Sequence, residues 1–225
     1  QGPMFRYERP QKGRFRQFHQ VGVEYLGFEE GISEYELIGM VLQINKLIGI
    51  TNYTIKINHL GDQPAKERFC DSLVNFLKPH INKLHEKDQA RLKSNPLRVL
   101  DSKEKCTQAL LKEGPKFQDF ISDASKSFLQ NLVDAYSDHC DIQIDQSLVR
   151  GLDYYTGAIF EVTVDDSPVG SICGGGRYAD LTGIFGWKGM SGVGIRFGAD
   201  RIEDVLNHFG AWPDLSNVGL DVMVV

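Results

Sequence analysis

Hydrophobic and polar positions fall into three textures along the chain. VGVEYLGF (21–28) alternates apolar residues with others, the period of a strand with one buried face. The preceding FRYERPQKGRFRQFHQ contains a Pro-Gln-Lys-Gly turn, which predicts a hairpin. Strand alternation would then place Arg14, Arg16, Phe18, Gln20, Gly22 and Glu24 on one face, and Arg6 with Glu8 on one face of the partner strand. Ser33 followed by Glu36 predicts a capping box. Leu37, Val41, Ile44 and Ile48 then repeat at helical spacing until Gly49 stops the helix, and YTIKINH (53–59) alternates again as a strand.

From 64 to 140 the period changes. RFCDSLVNFLKPHINKL and FQDFISDASKSFLQNLVDAY carry apolar residues every three or four positions, interrupted at Pro79, Pro96 and Gly114-Pro115. This predicts an all-helical insertion, with the charges from Lys83 to Lys93 on a solvated face. Strand texture returns after 141, in AIFEVTV (158–164) and VGSIC (169–173). GVGIRFGADRIEDVL closes the pattern as a glycine-laced strand followed by a helix.

Composition narrows the class. A chain of 225 residues, 41% hydrophobic, can bury a substantial core. No apolar run approaches the roughly eighteen residues of a membrane span, and no signal-peptide pattern is present. Cys70, Cys106, Cys140 and Cys173 lie more than thirty residues apart, without metal-ligand or disulfide-framework spacing. A formal net charge of -5 argues against a broad nucleic-acid face but leaves room for a local anion site. Both ends are expected to be cut from a longer protein, because QGPMF lacks an initiator methionine and DVMVV reads as a strand just begun.

Four stretches carry candidate chemistry. Arg6, Arg9, Lys12, Arg14 and Arg16 fall within eleven positions, with Glu8 the single acid among them. Arginine forks match phosphate oxygens and a phenylalanine ring can stack on a base, although the same pattern fits a solvated basic hairpin. In LVRGLDYYTGAIFE, Arg150 precedes a glycine turn and two tyrosines, which also fits ordinary strand alternation. In CGGGRY three glycines allow close backbone approach to a ligand or form a plain turn, and the absence of a following GK[ST] excludes a Walker loop. In GVGIRFG the third glycine comes one position late for a dinucleotide fingerprint, and Arg196-Phe197 would crowd the pyrophosphate turn.

These stretches together resemble a known family. FRYERPQKGRFRQFHQ resembles motif 2 of class II aminoacyl-tRNA synthetases, and GVGIRFGADR resembles their motif 3. LVRGLDYYTGAIFEV and CGGGRY resemble the two signature peptides of the histidyl-tRNA synthetases. NPLRVLDSK (95–103) resembles the insertion of the bacterial-type members, and DVMVV the first strand of the family's anticodon-binding domain. The resemblance implies an α+β fold, with a mixed, mostly antiparallel sheet flanked by helices and a helical insertion. It divides the chain into catalytic core at 1–63, insertion at 64–140, catalytic core at 141–219 and the start of an anticodon domain at 220–225.

The implied activity is ATP-dependent conversion of L-histidine to histidyl-adenylate and transfer to tRNA(His), by a cytoplasmic homodimer with no membrane association. ATP would enter as a substrate with Mg2+, and no metal-ligating residue is assigned. Arg6 matches the arginine at the ATP α-phosphate and substrate carboxylate, Glu8 the acid at the adenine edge, and Arg14 the arginine at the γ-phosphate. Phe18 matches the ring under the adenine, and Arg201 the arginine above it. Gln20 and Glu24 match the floor of the histidine pocket, and Tyr154, Tyr155 and Tyr178 the tyrosines around the imidazole. Arg150 matches the family's arginine at the α-phosphate, where related synthetases place a metal ion.

Two departures stand out: Asp200 where the family commonly has glutamate, and Ala179 where it has an acid. Motif 1 and the threonine–glutamate element that holds the α-amino group are not in this chain. The fragment is therefore expected to bind poorly or be inactive alone. The alternative is the non-catalytic regulatory paralogue of ATP phosphoribosyltransferase, whose members tend to lose the arginines and the histidine signature retained here.

Overall fold

The computed structural model describes residues 1–7, 10, 12–151, 154–178 and 181–214. Among these residues seven strands form one sheet: β1 (Gly2–Phe5), β2 (Gln17–Leu26), β3 (Tyr53–His59), β4 (Asp141–Ile144), β5 (Ala158–Val164), β6 (Ser171–Tyr178) and β7 (Gly192–Gly198). Their order is β1-β2-β7-β6-β5-β3-β4, with every pair antiparallel except β3–β4. The expected mixed, mostly antiparallel sheet is thus present.

Alternation gives the sheet two different faces. Val23, Ile55, Ile57, Phe160, Val162, Val193 and Ile195 pack in one cluster with Leu37, Ile38 and Val41 of α1 (Ile32–Ile48). Leu129 and Leu132 of α5 (Asp123–Tyr136), and Val205 and Leu206 of α7 (Ala199–Phe209), complete it. Burial of such side chains contributes about 1.5–3 kcal/mol each, which anchors these helices to this face. The opposite face carries the residues between: Gln20, Gly22 and Glu24 on β2, Gly194 and Arg196 on β7, Gly174 on β6 and Glu161 on β5.

A second core lies over part of that opposite face. Phe69, Leu73 and Leu77 of α2 (Gln63–Leu77) cluster with Leu92 of α3 (Glu86–Ser94), Leu97, Val99, Phe117 and Ile159 of β5. The Phe69 and Phe117 rings stack with centroids 3.7 Å apart. Three 3-10 segments and α4 (Lys105–Lys112) complete the helical run before α5, and α6 (Leu181–Ile184) is a single turn.

Several local expectations change. β2 begins at Gln17, so Arg14 and Arg16 lie in the loop and do not continue its alternation. The Ser33–Glu36 capping box does not form. The helix starts two residues earlier than that cap predicts, at Ile32 after Gly31, and it is the Glu34 carboxylate that accepts the Gly31 N–H at 2.8 Å. Gly49 ends α1 in the left-handed region as expected. CGGGRY is neither turn nor loop but the body of β6, in the middle of the sheet.

Candidate functional site

Four of the predicted arginines come together at one end of the open face. Arg6 follows β1; its backbone N–H donates to the Arg16 carbonyl at 2.8 Å and its Nε to the Phe15 carbonyl at 2.6 Å. These bonds fold the guanidinium over the Phe18 ring, 4.0 Å from the centroid. Arg201, in the first turn of α7, donates Nε to the Gly13 carbonyl at 2.7 Å and Nη1 to the Ser171 carbonyl at 2.5 Å. One side chain therefore ties Gly13 to β6. Burial first, then the charges of Arg6, Arg14 and Arg150, lower the Arg201 pKa, with Glu161 acting in the opposite direction. Guanidinium groups gathered around Arg201 in this way make a ready anion site.

Arg150 reaches this cluster from the segment before β5. Its Nη1 lies 3.6 Å from Glu161 Oε1. Its guanidinium lies flat against Gly174, where a Cβ would sit 2.5 Å from Nη1 and 2.7 Å from Nη2. Only glycine leaves that slot open.

Next to the slot is a pocket of about 190 Å³ lined by Glu24, Tyr154, Tyr155, Tyr178, Gly174 and Arg196 among others. The volume is below the range of drug-sized sites and suits a compact polar ligand. The Tyr178 hydroxyl donates to Glu24 Oε2 at 2.7 Å, and Arg196 Nη2 donates to Oε1 at 3.1 Å. Gly194, the register partner of Glu24, makes this possible, because a Cβ there would collide with the carboxylate. Tyr154 donates to the Tyr155 hydroxyl at 3.3 Å, and their ring centroids are 4.4 Å apart. Burial, then the hydrogen bond to Glu24, raises the Tyr178 pKa; burial, then Tyr155, raises that of Tyr154. Both remain hydroxyl donors at neutral pH. Burial works against the charge of Arg196, but the Glu24 hydrogen bond and charge outweigh it and raise its pKa.

Gln20 lies on the same face of β2 as Glu24, opposite Gly198. Glu8 and Ala179 fall outside the described residues. Asp200 accepts the His19 N–H at 2.6 Å, so it fastens α7 to β2.

Sequence reasoning missed Arg196 and Glu161. The signal was there: in GIRFG and IFEV the alternation that buries Ile195 and Phe160 turns Arg196 and Glu161 to the open face. It also missed two buried polar groups on the other side. Arg177 donates to Glu34 Oε1 at 2.5 Å and to the carbonyls of Phe28 and Glu29 and the hydroxyls of Ser33 and Ser191, a structural role. His59 accepts the Gly61 N–H on Nδ1 at 2.9 Å, so Nε2 carries the proton that Glu30 accepts at 3.1 Å. Among the described residues no three His, Cys, Asp or Glu side chains are grouped to hold a metal ion, and no helix is long and apolar enough to cross a membrane.

The family model described as histidyl-tRNA synthetase matches residues 1–202. A histidine–tRNA ligase of Pediococcus pentosaceus is 42% identical over 211 residues, covering 92% of this chain and 50% of its own length. One of Limosilactobacillus fermentum is 39% identical over 231 residues, covering 100% of this chain and 53% of its own length. The crystal structure of apo S. aureus histidyl-tRNA synthetase superposes with a TM-score of 0.71 at 30% identity, over 95% of this chain and 51% of that one. The chain spans about half the length of these relatives. Motifs, sheet order and sequence similarity agree, and the chain belongs to the histidyl-tRNA synthetase family.

Proposed function

We propose that this chain is the part of a histidine–tRNA ligase that joins L-histidine to ATP as histidyl-adenylate, ahead of transfer to tRNA(His). The observation that carries the reading is the juxtaposition of two sites on one sheet face. Arg6, Arg14 and Arg150 all act on the charge of Arg201, and Gly174 separates Arg150 from the Glu24–Tyr178 pocket.

A histidine carboxylate oxygen forms a bond to the α-phosphorus, the bond from that phosphorus to the bridging oxygen breaks, and pyrophosphate leaves. The nucleophile is already ionised at neutral pH, so no general base is needed. The obstacle is that an anion attacks an anion, and fixed guanidinium groups aimed at the developing charge lower it. Arg150 and Arg6 serve the α-phosphate, with Arg6 also meeting the histidine carboxylate. Arg14 and Arg201 serve the γ-phosphate, and Phe18 and Glu8 the adenine. The imidazole enters the pocket among Glu24, Tyr154, Tyr155 and Tyr178, with Gln20 beside it.

ATP enters with Mg2+, an ion that usually keeps several waters and needs only one or two carboxylates besides the substrate phosphates. The division into core (1–63 and 141–219), helical insertion (64–140) and the first residues of an anticodon domain (220–225) belongs to the same proposal, with α5, at the end of the helical span, packed on the core sheet. Homodimer formation and a cytoplasmic location belong to it as well. The regulatory-paralogue alternative has less support, because the four arginines and the tyrosines are all retained. Histidine-dependent ATP–pyrophosphate exchange by the full-length protein tests the reading. Exchange driven by histidine alone among the amino acids is the expected result, and no exchange at saturating ATP and histidine would overturn it.

A further inference from the structure

The geometry points to Glu161 as the positioning residue of Arg150, the carboxylate that keeps this guanidinium in place against the other arginines. The inference rests on the proposed role of Arg150 and adds a residue to it.

Register sets the arrangement. Glu161 on β5 pairs with Gly174 on β6 on one side and Lys56 on β3 on the other, all on the open face. Lys56 does not neutralise it, since Lys56 Nζ turns to Asp145 at 3.4 Å. Glu161 is left facing Arg150 across the bare backbone of Gly174. Both side chains are about three-quarters buried, at 28% and 23% exposure, so solvent screens the pair only in part.

Around Arg150 the other contacts hold it weakly. The Tyr155 ring centroid is 6.0 Å from its guanidinium carbon, and its buried Nε has no hydrogen-bond partner. Meanwhile Arg201, which also feels the charges of Arg6 and Arg14, sets a like charge against Arg150. A flexible side chain repelled by a like-charged neighbour needs an opposing charge to stay in one rotamer, and Glu161 supplies it. The Nη1 to Oε1 distance of 3.6 Å exceeds a hydrogen bond. The carboxylate thus attracts the guanidinium without consuming its donors, which stay available to a phosphate.

The consequence is a split between rate and binding. Removing Glu161 takes a negative charge from an anion site, so ATP should bind no less tightly. Arg150, however, would no longer be held where charge develops. The loss should be about 10- to 100-fold in adenylation rate, the range seen when an outer group that orients a metal ligand is removed.

The test uses the full-length protein with Glu161→Ala, Glu161→Gln, Arg150→Ala and the Glu161→Ala/Arg150→Ala pair, measuring single-turnover adenylate formation, the KM for ATP and thermal melting. The expected result is a slowed rate in both Glu161 variants with an unraised KM for ATP, and a double variant no slower than Arg150→Ala alone. Glu161→Gln, nearly isosteric, carries the test if Glu161→Ala melts early. A wild-type rate in the Glu161 variants, a raised KM with normal rate, or losses that multiply in the double variant would overturn the proposal. No adenylate from the wild-type protein would instead overturn the functional reading, and this inference with it.

Discussion

Replacing Glu24 by glutamine keeps the size of the side chain and removes its charge, so it isolates what the carboxylate contributes to the pocket. In the structure Glu24 accepts from Tyr178 at 2.7 Å and from Arg196 at 3.1 Å. Glutamine has only one acceptor oxygen, and its amide NH2 must face one of these two donors. An imidazole N–H entering the pocket would also lose its charged acceptor. Hydrogen bonds to charged groups contribute about 1.5–3 kcal/mol, which at about 1.4 kcal/mol per tenfold is about 10- to 100-fold in affinity. The cost in stability should be small, about 1 kcal/mol or less, because the Glu24–Arg196 pair is only partly buried, with Arg196 52% exposed. The assay is pyrophosphate exchange with histidine titrated at saturating ATP, beside a thermal melt. Glu24→Gln should raise the KM for histidine by that factor while the KM for ATP holds and the melting temperature falls by about 4 °C at most. An unchanged KM for histidine would show that no substrate group meets Glu24, and the pocket assignment would fall.

Gly174→Ala should place a methyl group against the Arg150 guanidinium. Because the colliding atoms are the end of a flexible side chain, the fold should survive while exchange drops by about tenfold or more; wild-type exchange would contradict the slot. Glu30→Gln tests its partly buried pair with His59. Burial works to raise the Glu30 pKa, but the His59 contact and the Ala158 N–H outweigh it and the folded-state value lies below the ordinary 4.5. The stabilisation is therefore complete above 4.5 and is lost as pH falls through the lowered value. Melting temperatures of wild type and Glu30→Gln should converge on acidification, and a gap independent of pH would refute the assignment.

The parts of the fold legible in the sequence are those set by local period. YTIKINH and AIFEVTV became β3 and β5 at the expected bounds, since each buries alternate residues on the helix-covered face. The ends of elements were less legible, because they depend on partners distant in sequence. Arg14 looks like strand by alternation, yet Gly13, in the left-handed region beside Val169 and Arg201, turns the chain there. The glycines of CGGGRY suggested a turn, and only the approach of Arg150 across 24 residues of chain shows why Gly174 stands in a central strand. Arg196 was read only as an obstacle to a dinucleotide turn. Its partner Glu24 lies 172 residues away, and no local pattern announces such a pair.

The central claim is that the arginine cluster brings the carboxylate of histidine and the α-phosphate of ATP together. Single-turnover formation of histidyl-adenylate by the full-length protein, wild type against Arg150→Ala, tests it most directly. The account predicts adenylate with the wild type and a rate lower by about 10² or more in the variant, comparable to losing one preorganised oxyanion donor, with histidine affinity changed less. A near-normal rate with Arg150→Ala would contradict it.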